Sequence, residues 1–354
     1  MAADGPTASS RSGRRLRPGD HLDPLRRRRH HARPWRLPDA RHQGQGRELP
    51  VRWRDRRHHR PRLLLGLPLA GPDDGANRQC RRGSGAHQGR RHLRRNFENP
   101  APDKPRYHTS GTTFSADPKF IDGLVAAGID YVSLANNHIR DAGGAGLLQT
   151  IANVTKRGIA VSGAGKNLAA ARKPAILEAG GIKVAILGYD AIASSYHATA
   201  TRIGSAGLSA RNVKEDVAAA RKAGANLVIV YPHWGTEYDD TPFPAQKRLA
   251  RMIIDNGADM VIGNHAHWAA AMEIYKGKPI WYALGNFVFD QTWSEPTMEG
   301  ITLELTFHGA KLVQVHIHPH IILDKAQPNF LDPAGDGRVV MGQVFTASKG
   351  LLPW

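Results

Sequence analysis

Met260-Val-Ile-Gly-Asn-His-Ala-His267 runs from an apolar, strand-like stretch straight into glycine, amide and imidazole groups. Three other stretches do the same: Tyr131-Val-Ser-Leu-Ala-Asn-Asn-His138, Leu227-Val-Ile-Val-Tyr-Pro-His-Trp-Gly235 and Ile280-Trp-Tyr-Ala-Leu-Gly-Asn-Phe287. In an open α/β sheet, functional groups gather outside the carboxyl ends of the strands. Four such ends bearing imidazoles and amides predict an α/β fold with one convergent metal site.

The intervening sequence supports that reading. Asp117 to Ala127 has a helical pattern with Phe120, Leu124 and Val125 on one side, and Gly143 to Arg157 another with Leu147, Leu148, Ile151 and Val154 inward. Ala210 to Ala223, capped by Ser209, and Pro244 to Asn256 complete the helices, each closed by a glycine. Ile129 to Ala135, Ile159 to Ser162, Ile182 to Tyr189, Leu227 to Tyr231 and Asp259 to Ile262 read as buried strands. From Met272 onward alternation replaces the continuous apolar runs, with turns such as Lys276-Gly-Lys278 and His308-Gly-Ala310, which is hairpin chemistry. Strand–helix repeats followed by a meander predict a layered α/β sandwich with two sheets.

Residues 1–95 are a different text. They hold 25 Arg and 8 His but no Lys, Ile, Phe or Tyr, and with 8 Asp and Glu carry a net +17 of the chain's +18. One reading is a basic arm acting by counterion release. The other is GC-rich coding DNA read in a wrong frame. Shifting the codons for Gly89 to Arg95 by one base permits Ala-Asp-Val-Ile-Phe-Val-Gly, a strand leading directly into Asn96. Either way the segment lacks the apolar content to fold alone. The expected organisation is therefore an Arg-rich segment over 1–95, a folded domain over 96–325 and a C-terminal extension over 326–354. No secretory signal or membrane span is visible, since the longest apolar run, Leu63 to Ala70, contains Pro68 and is far short of a spanning helix. Cys80 is the only cysteine, so a metal must be held by nitrogen and oxygen.

Each motif has a plain alternative. His265 and His267, at i and i+2, would point the same way from an extended chain and meet one ion. His233 follows a strand within Pro232-His-Trp-Gly235. Asn136-Asn137-His138 reads either as a turn or as an amide ligand followed by a proton donor. Asn286 reads as a turn residue more than a chemical one. His316, His318 and His320 alternate along a late strand and read as one solvent or rim face, and Asp239-Asp240 and Glu295 with Glu299 as solvated loop charges.

Taken in order, Asn96-Phe-Glu98-Asn-Pro100, Ser133-Leu-Ala-Asn-Asn-His138 with Asp141-x-Gly143, Gly163-Ala-Gly165, Pro232-His-Trp-Gly235, Gly263-Asn-His-Ala-His267 and Ala283-Leu-Gly-Asn-Phe287 resemble the CapA family. These are capsule and poly-γ-glutamate synthesis proteins whose domain is similar to calcineurin-like metallophosphoesterases. The resemblance covers about residues 96–320. It implies an α/β/β/α metallophosphoesterase-like sandwich with two divalent cations, metal-binding or adjacent roles for Glu98, Asn137, His233, His265 and His267, and His138 beside the transferred group. The family's opening strand ends in a Gly-Asp whose Asp is a ligand. The only Gly-Asp in the Arg-rich segment is Gly19-Asp20, which makes Asp20 the position available.

Imidazole, amide and carboxylate ligands favour Mn, Fe or Zn over Ca. The resulting expectation is a metal-dependent phosphoesterase-type hydrolase acting on a phosphoester or anionic polymer, with other capsule-synthesis proteins as partners. The alternative is a non-catalytic, polymer-binding component of capsule assembly. Nucleic acid is not an expected partner. The compartment is left open, the cell envelope following if an export signal was lost with the N-terminal frame and the cytoplasm otherwise.

Overall fold

The computed structural model describes residues 62–65, 93–106 and 111–353. Its centre is a six-stranded sheet in the order Met272–Tyr275, Lys278–Trp281, Met260–Ile262, Leu227–His233, Ile182–Asp190, Ala175–Ala179. The middle four strands are parallel and the two edges pair antiparallel. A three-stranded parallel sheet joins Leu93–Asn96, Ile129–Ser133 and Ala160–Ser162. Arg62–Leu65, Glu299–His308, Lys311–Leu323 and Gln327–Phe330 form an antiparallel sheet, a meander. The first hairpin expected in it, from Met272 to Trp281, joins the six-stranded sheet instead, where Lys278–Trp281 runs parallel to Met260–Ile262.

Strand alternation then decides the layers. Val184, Ile186, Ile229, Tyr231 and Ile262 pack against Tyr131 of the three-stranded sheet and Ile301, Leu303 and Leu305 of the meander. The residues between them, Ala185, Leu187, Val228, Val230 and Val261, face Val213 and Val217 of helix Ala210–Lys222 and Ile253 and Ile254 of helix Pro244–Asp255. On the far side, Val132 meets Ile121, Leu147 and Val154 from helices Ile121–Ala126 and Gly143–Thr155. The order is helix, sheet, sheet, helix: the α/β/β/α sandwich. Each fully buried Ile, Leu or Val contributes roughly 1.5–3 kcal/mol, so these three clusters hold the fold together.

Several local features depart from expectation. Pro118 opens a short 3-10 turn, Pro118–Phe120, that rotates the following helix. Ile121 becomes the buried residue while Phe120 and Val125 stand exposed. An edge strand at Ala175–Ala179 and a helix at Arg338–Ala347 were not foreseen, and Val340 and Val344 of that helix enter the core between the sheets. Among the described residues no helix is long and apolar enough to cross a membrane.

Parallel pairing aligns the strand ends. Asp190 stands beside His233, Asn96 beside Ser133, and a single bridge continues the register from His233 to Asn264. The polar clusters therefore emerge together at one end of the sandwich.

Candidate functional site

Those strand ends surround a cavity of about 810 Å³ lined by Glu98, His138, His265 and His267. His233 is fully buried behind these residues, its Nε2 2.7 Å from Asn137 Oδ1, 3.1 Å from His265 Nδ1 and 3.5 Å from Glu98 Oε1. One imidazole nitrogen carries at most one hydrogen, so protons cannot satisfy all three neighbours. Glu98 Oε1 is buried with no hydrogen-bond partner among the described residues, although Glu98 Oε2 accepts from Asn96 Nδ2 at 3.1 Å. An unpartnered buried carboxylate oxygen is costly unless something cationic completes it. Among the described residues, Glu98, His233 and His265 form the one group whose ligand atoms all lie within 4.8 Å of each other. The donor set fits a divalent cation with nitrogen and oxygen ligands.

Protonation favours the same conclusion. Burial, with His233 beside it, pushes the His265 imidazole down to about 3, so it presents a lone pair at neutral pH. Burial alone would raise the Glu98 carboxyl. The imidazoles of His233, His267 and His138 outweigh that and hold it at about 2, as an anion. Metal ligands must be deprotonated, and these two are.

His267 is aimed by a residue read from sequence as a turn former. Asn286 is buried, and its Nδ2 donates to Gln291 Oε1 at 3.0 Å and to the Thr297 carbonyl at 2.9 Å. Its Oδ1 must then accept, at 2.9 Å, from His267 Nδ1. That bond fixes the tautomer and leaves His267 Nε2 facing Glu98 Oε1, 4.0 Å away. Gly285, at φ 75°, makes the turn instead. His320 also departs from the rim-face reading: it is buried, and its Nε2 donates to the Asn286 carbonyl at 2.8 Å, while His316 is exposed. Glu299 likewise is buried rather than solvated, with its carboxyl pushed up to about 7 by burial and by Glu295.

The pairing of His265 with His267 does not come from an extended strand. The strand stops at Ile262, and both histidines sit at left-handed φ, 97° and 59°. Turning of the backbone, not pleating, brings their rings within 6.2 Å of one another. The loop starts with Gly263 because a Cβ there would meet the Tyr282 carbonyl at 2.0 Å and the Trp234 indole nitrogen at 2.4 Å.

His138 stands across the cavity. Its Nδ1 is 2.8 Å from Asp141 Oδ2, which also accepts from the Phe114 amide at 2.8 Å. With Nδ1 engaged, Nε2 is the nitrogen left for a ligand. Asn136 ties this loop down, its Oδ1 accepting from the His138 amide and its Nδ2 donating to the Phe97 carbonyl. Asp141 belongs to a quoted motif but had no role assigned from sequence, since its partnership needs the loop conformation. Glu98, Asn137, His138, His233, His265 and His267 are thus brought together, while Asp20 lies outside the described residues.

Fold and site define an α/β/β/α sandwich with a carboxylate–imidazole cluster at its aligned strand ends. The chain belongs to the bacterial capsule synthesis protein PGA_cap family, whose model matches residues 93–291. It is 35% identical over 207 residues to the capsule biosynthesis protein CapA of Bacillus anthracis, covering 56% of this chain and 50% of that one. It is 31% identical over 202 residues to the PGA biosynthesis protein CapA of Bacillus subtilis (strain 168), covering 56% and 53%. The chain spans about half the length of these curated relatives. Among solved structures, the calcineurin-like phosphoesterase YfkN from Bacillus subtilis aligns with a TM-score of 0.42 at 13% identity, over 81% of this chain and 96% of that one.

Proposed function

We propose that this chain is a metal-dependent hydrolase of phosphoester-type bonds working in capsule or polyglutamate synthesis, alongside other proteins of that process. The observation that carries this reading is the buried, unpartnered Glu98 Oε1 facing His233 Nε2 and His265 Nδ1. Glu98, His233 and His265 would hold one divalent cation, Mn, Fe or Zn in type, with Asn137 beside them. His267, whose Nδ1 is engaged by Asn286 so that Nε2 faces Glu98, would serve a second with Glu98. Such ions, when bound, polarise a phosphoryl oxygen and neutralise its charge.

The chain's own residues do the rest. Asp141 orients His138 through Nδ1, so His138 Nε2 is placed to give a proton to a departing oxygen or steady developing negative charge. Glu98 stays anionic and His265 neutral throughout the physiological range.

The lining charge speaks against a cavity built only to retain a polyanion. Among the described residues Arg95 is the sole Arg or Lys of its lining, set against Glu98, Glu237 and Asp290. A run of carboxylates would meet net negative protein charge there unless cations were bound.

The test is metal content by mass spectrometry together with hydrolysis of bis(p-nitrophenyl) phosphate by the Mn²⁺-loaded full chain. Glu98→Gln and His265→Ala should each lose both ion and turnover. A parent protein that binds Mn²⁺ stoichiometrically yet cleaves neither phosphomonoesters nor phosphodiesters would sink the hydrolase reading.

A further inference from the structure

From His138 to Trp293, aromatic rings follow one another around the cavity without a break. Phe114 lies 4.1 Å from the His138 ring, Phe289 5.8 Å from Phe114, and His267 5.4 Å from Phe289. Tyr238 stacks on His267 at 5.9 Å and 26°, and Trp293 meets Tyr238 edge-on at 6.2 Å and 79°. The inner members are partly buried, but Tyr238 is 38% exposed and Trp293 66%. Exposed aromatic side chains are ordinary when scattered, but these two touch each other at the mouth of a cavity and so form a contiguous patch.

Tyr238 adds a second observation. Its φ of 61° lies in the left-handed region, and its amide donates to the Ala266 carbonyl at 2.8 Å. Among the described residues six non-glycines have positive φ, and Tyr238, His265 and His267 are three of them. Backbone strain that gathers at one pocket points to what the pocket holds. Here it places a ring face over a candidate ligand imidazole.

We infer that the mouth of this cavity is a subsite for a planar aromatic ring carried next to the phosphoryl group of the ligand. Ring faces and edges offer stacking and T-shaped contacts at 4.5–7 Å, and the mouth supplies them in both orientations. With Arg95 the only Arg or Lys in the lining among the described residues, recognition of the group beside the phosphoryl rests on apolar contact rather than charge. Trp293, the outermost ring, sets the preference; it is the specificity residue. This inference rests on the hydrolase reading for the phosphoryl end only.

The experiment measures binding without turnover. Phenylphosphonate and methylphosphonate are titrated into the Mn²⁺-loaded full chain by calorimetry, for the parent, Trp293→Ala and Trp293→Phe. The parent should bind the phenyl compound about 5- to 10-fold more tightly, Trp293→Ala should abolish that ratio, and Trp293→Phe should keep most of it. Trp293 is exposed enough for its removal to leave folding intact, which circular dichroism checks. Equal affinity for the two phosphonates, a ratio indifferent to Trp293→Ala, or no binding of either overturns the subsite. Ring-selective binding without hydrolysis of either phenyl phosphate or bis(p-nitrophenyl) phosphate would sink the hydrolase reading and leave the subsite standing.

Discussion

Replacing Arg94 by Met should stabilise this protein. Arg94 sits in the strand Leu93–Asn96, opposite Tyr131, and is fully buried. Among the described residues none of its Nε, Nη1 and Nη2 atoms has a hydrogen-bond partner. Burial drives its guanidinium from the usual 12.5 down to about 10, only partly offset by Tyr231, Asp130 and Tyr131. At about 1.36 kcal/mol per unit, that is about 3 kcal/mol against the charged form. Mutational experience with an uncompensated buried charge, roughly 3–5 kcal/mol, agrees. Met has a similar length, no charge and enough flexibility to fill the space, so little cavity cost subtracts from the gain. For a folded unit of this size roughly 2–4 °C per kcal/mol applies, giving a rise in Tm of roughly 6–12 °C by scanning calorimetry. Lys214→Met, at an exposed helical position, is the control and should stay within about 0.5 kcal/mol of the parent. If Arg94→Met melts at or below the parent temperature, Arg94 is solvated or paired in solution and the reasoning fails.

Three further outcomes are expected. His138→Asn should lower phosphodiester turnover by about 10²–10⁴-fold while metal content is unchanged, and Asp141→Asn, which weakens the contact that orients the ring at Nδ1, should lower it by less, again with metal content unchanged. Asn286→Ala should free His267 and weaken Mn²⁺ affinity about 10–100-fold by calorimetry, with Glu98, His233 and His265 all intact. Stability should fall on both sides of a maximum. His320 has a folded pKa of about 4 through burial, below the ordinary 6.5, so its contribution is complete above 6.5 and lost as pH falls towards 4, by up to about 3 kcal/mol. Glu299, raised to about 7, acts oppositely: its contribution is complete below the ordinary 4.5 and lost as pH rises through 7. Glu299→Gln should therefore melt higher than the parent at pH 8 and alike at pH 4; a difference confined to pH 4 would contradict this.

The parallel strands were legible because strands covered on both faces leave continuous apolar runs, as in Ile182–Asp190. The site was legible for a related reason: an apolar run that stops in Asn and His has few structural explanations at four strand ends at once. What escaped depends on contacts between distant segments. Asn286 looks like any turn residue until Gln291 and Thr297 claim both of its amide hydrogens. The left-handed φ of His265 and His267 carries no mark in residue type, since glycine would ordinarily mark such positions. Helix Arg338–Ala347 is hidden by Gly342 and three valines, poor helix formers held in place by packing. The strand Leu93–Asn96 is the reverse case. Its register with Ile129–Ser133 asks for apolar side chains where the sequence has Arg94 and Arg95, and the one-base shift would put Val and Gly there.

The histidine loop after Ile262 has a consequence for how this chain can change over time. A sequence selected for thermal endurance alone would drift to glycine at 265 and 267, relaxing two unfavourable backbone conformations of about 1–3 kcal/mol each. Holding imidazoles there keeps the molecule permanently short of its most robust version. Under the proposed metal-binding role, copies released from it should lose these two side chains early, while the sheets beneath stay intact.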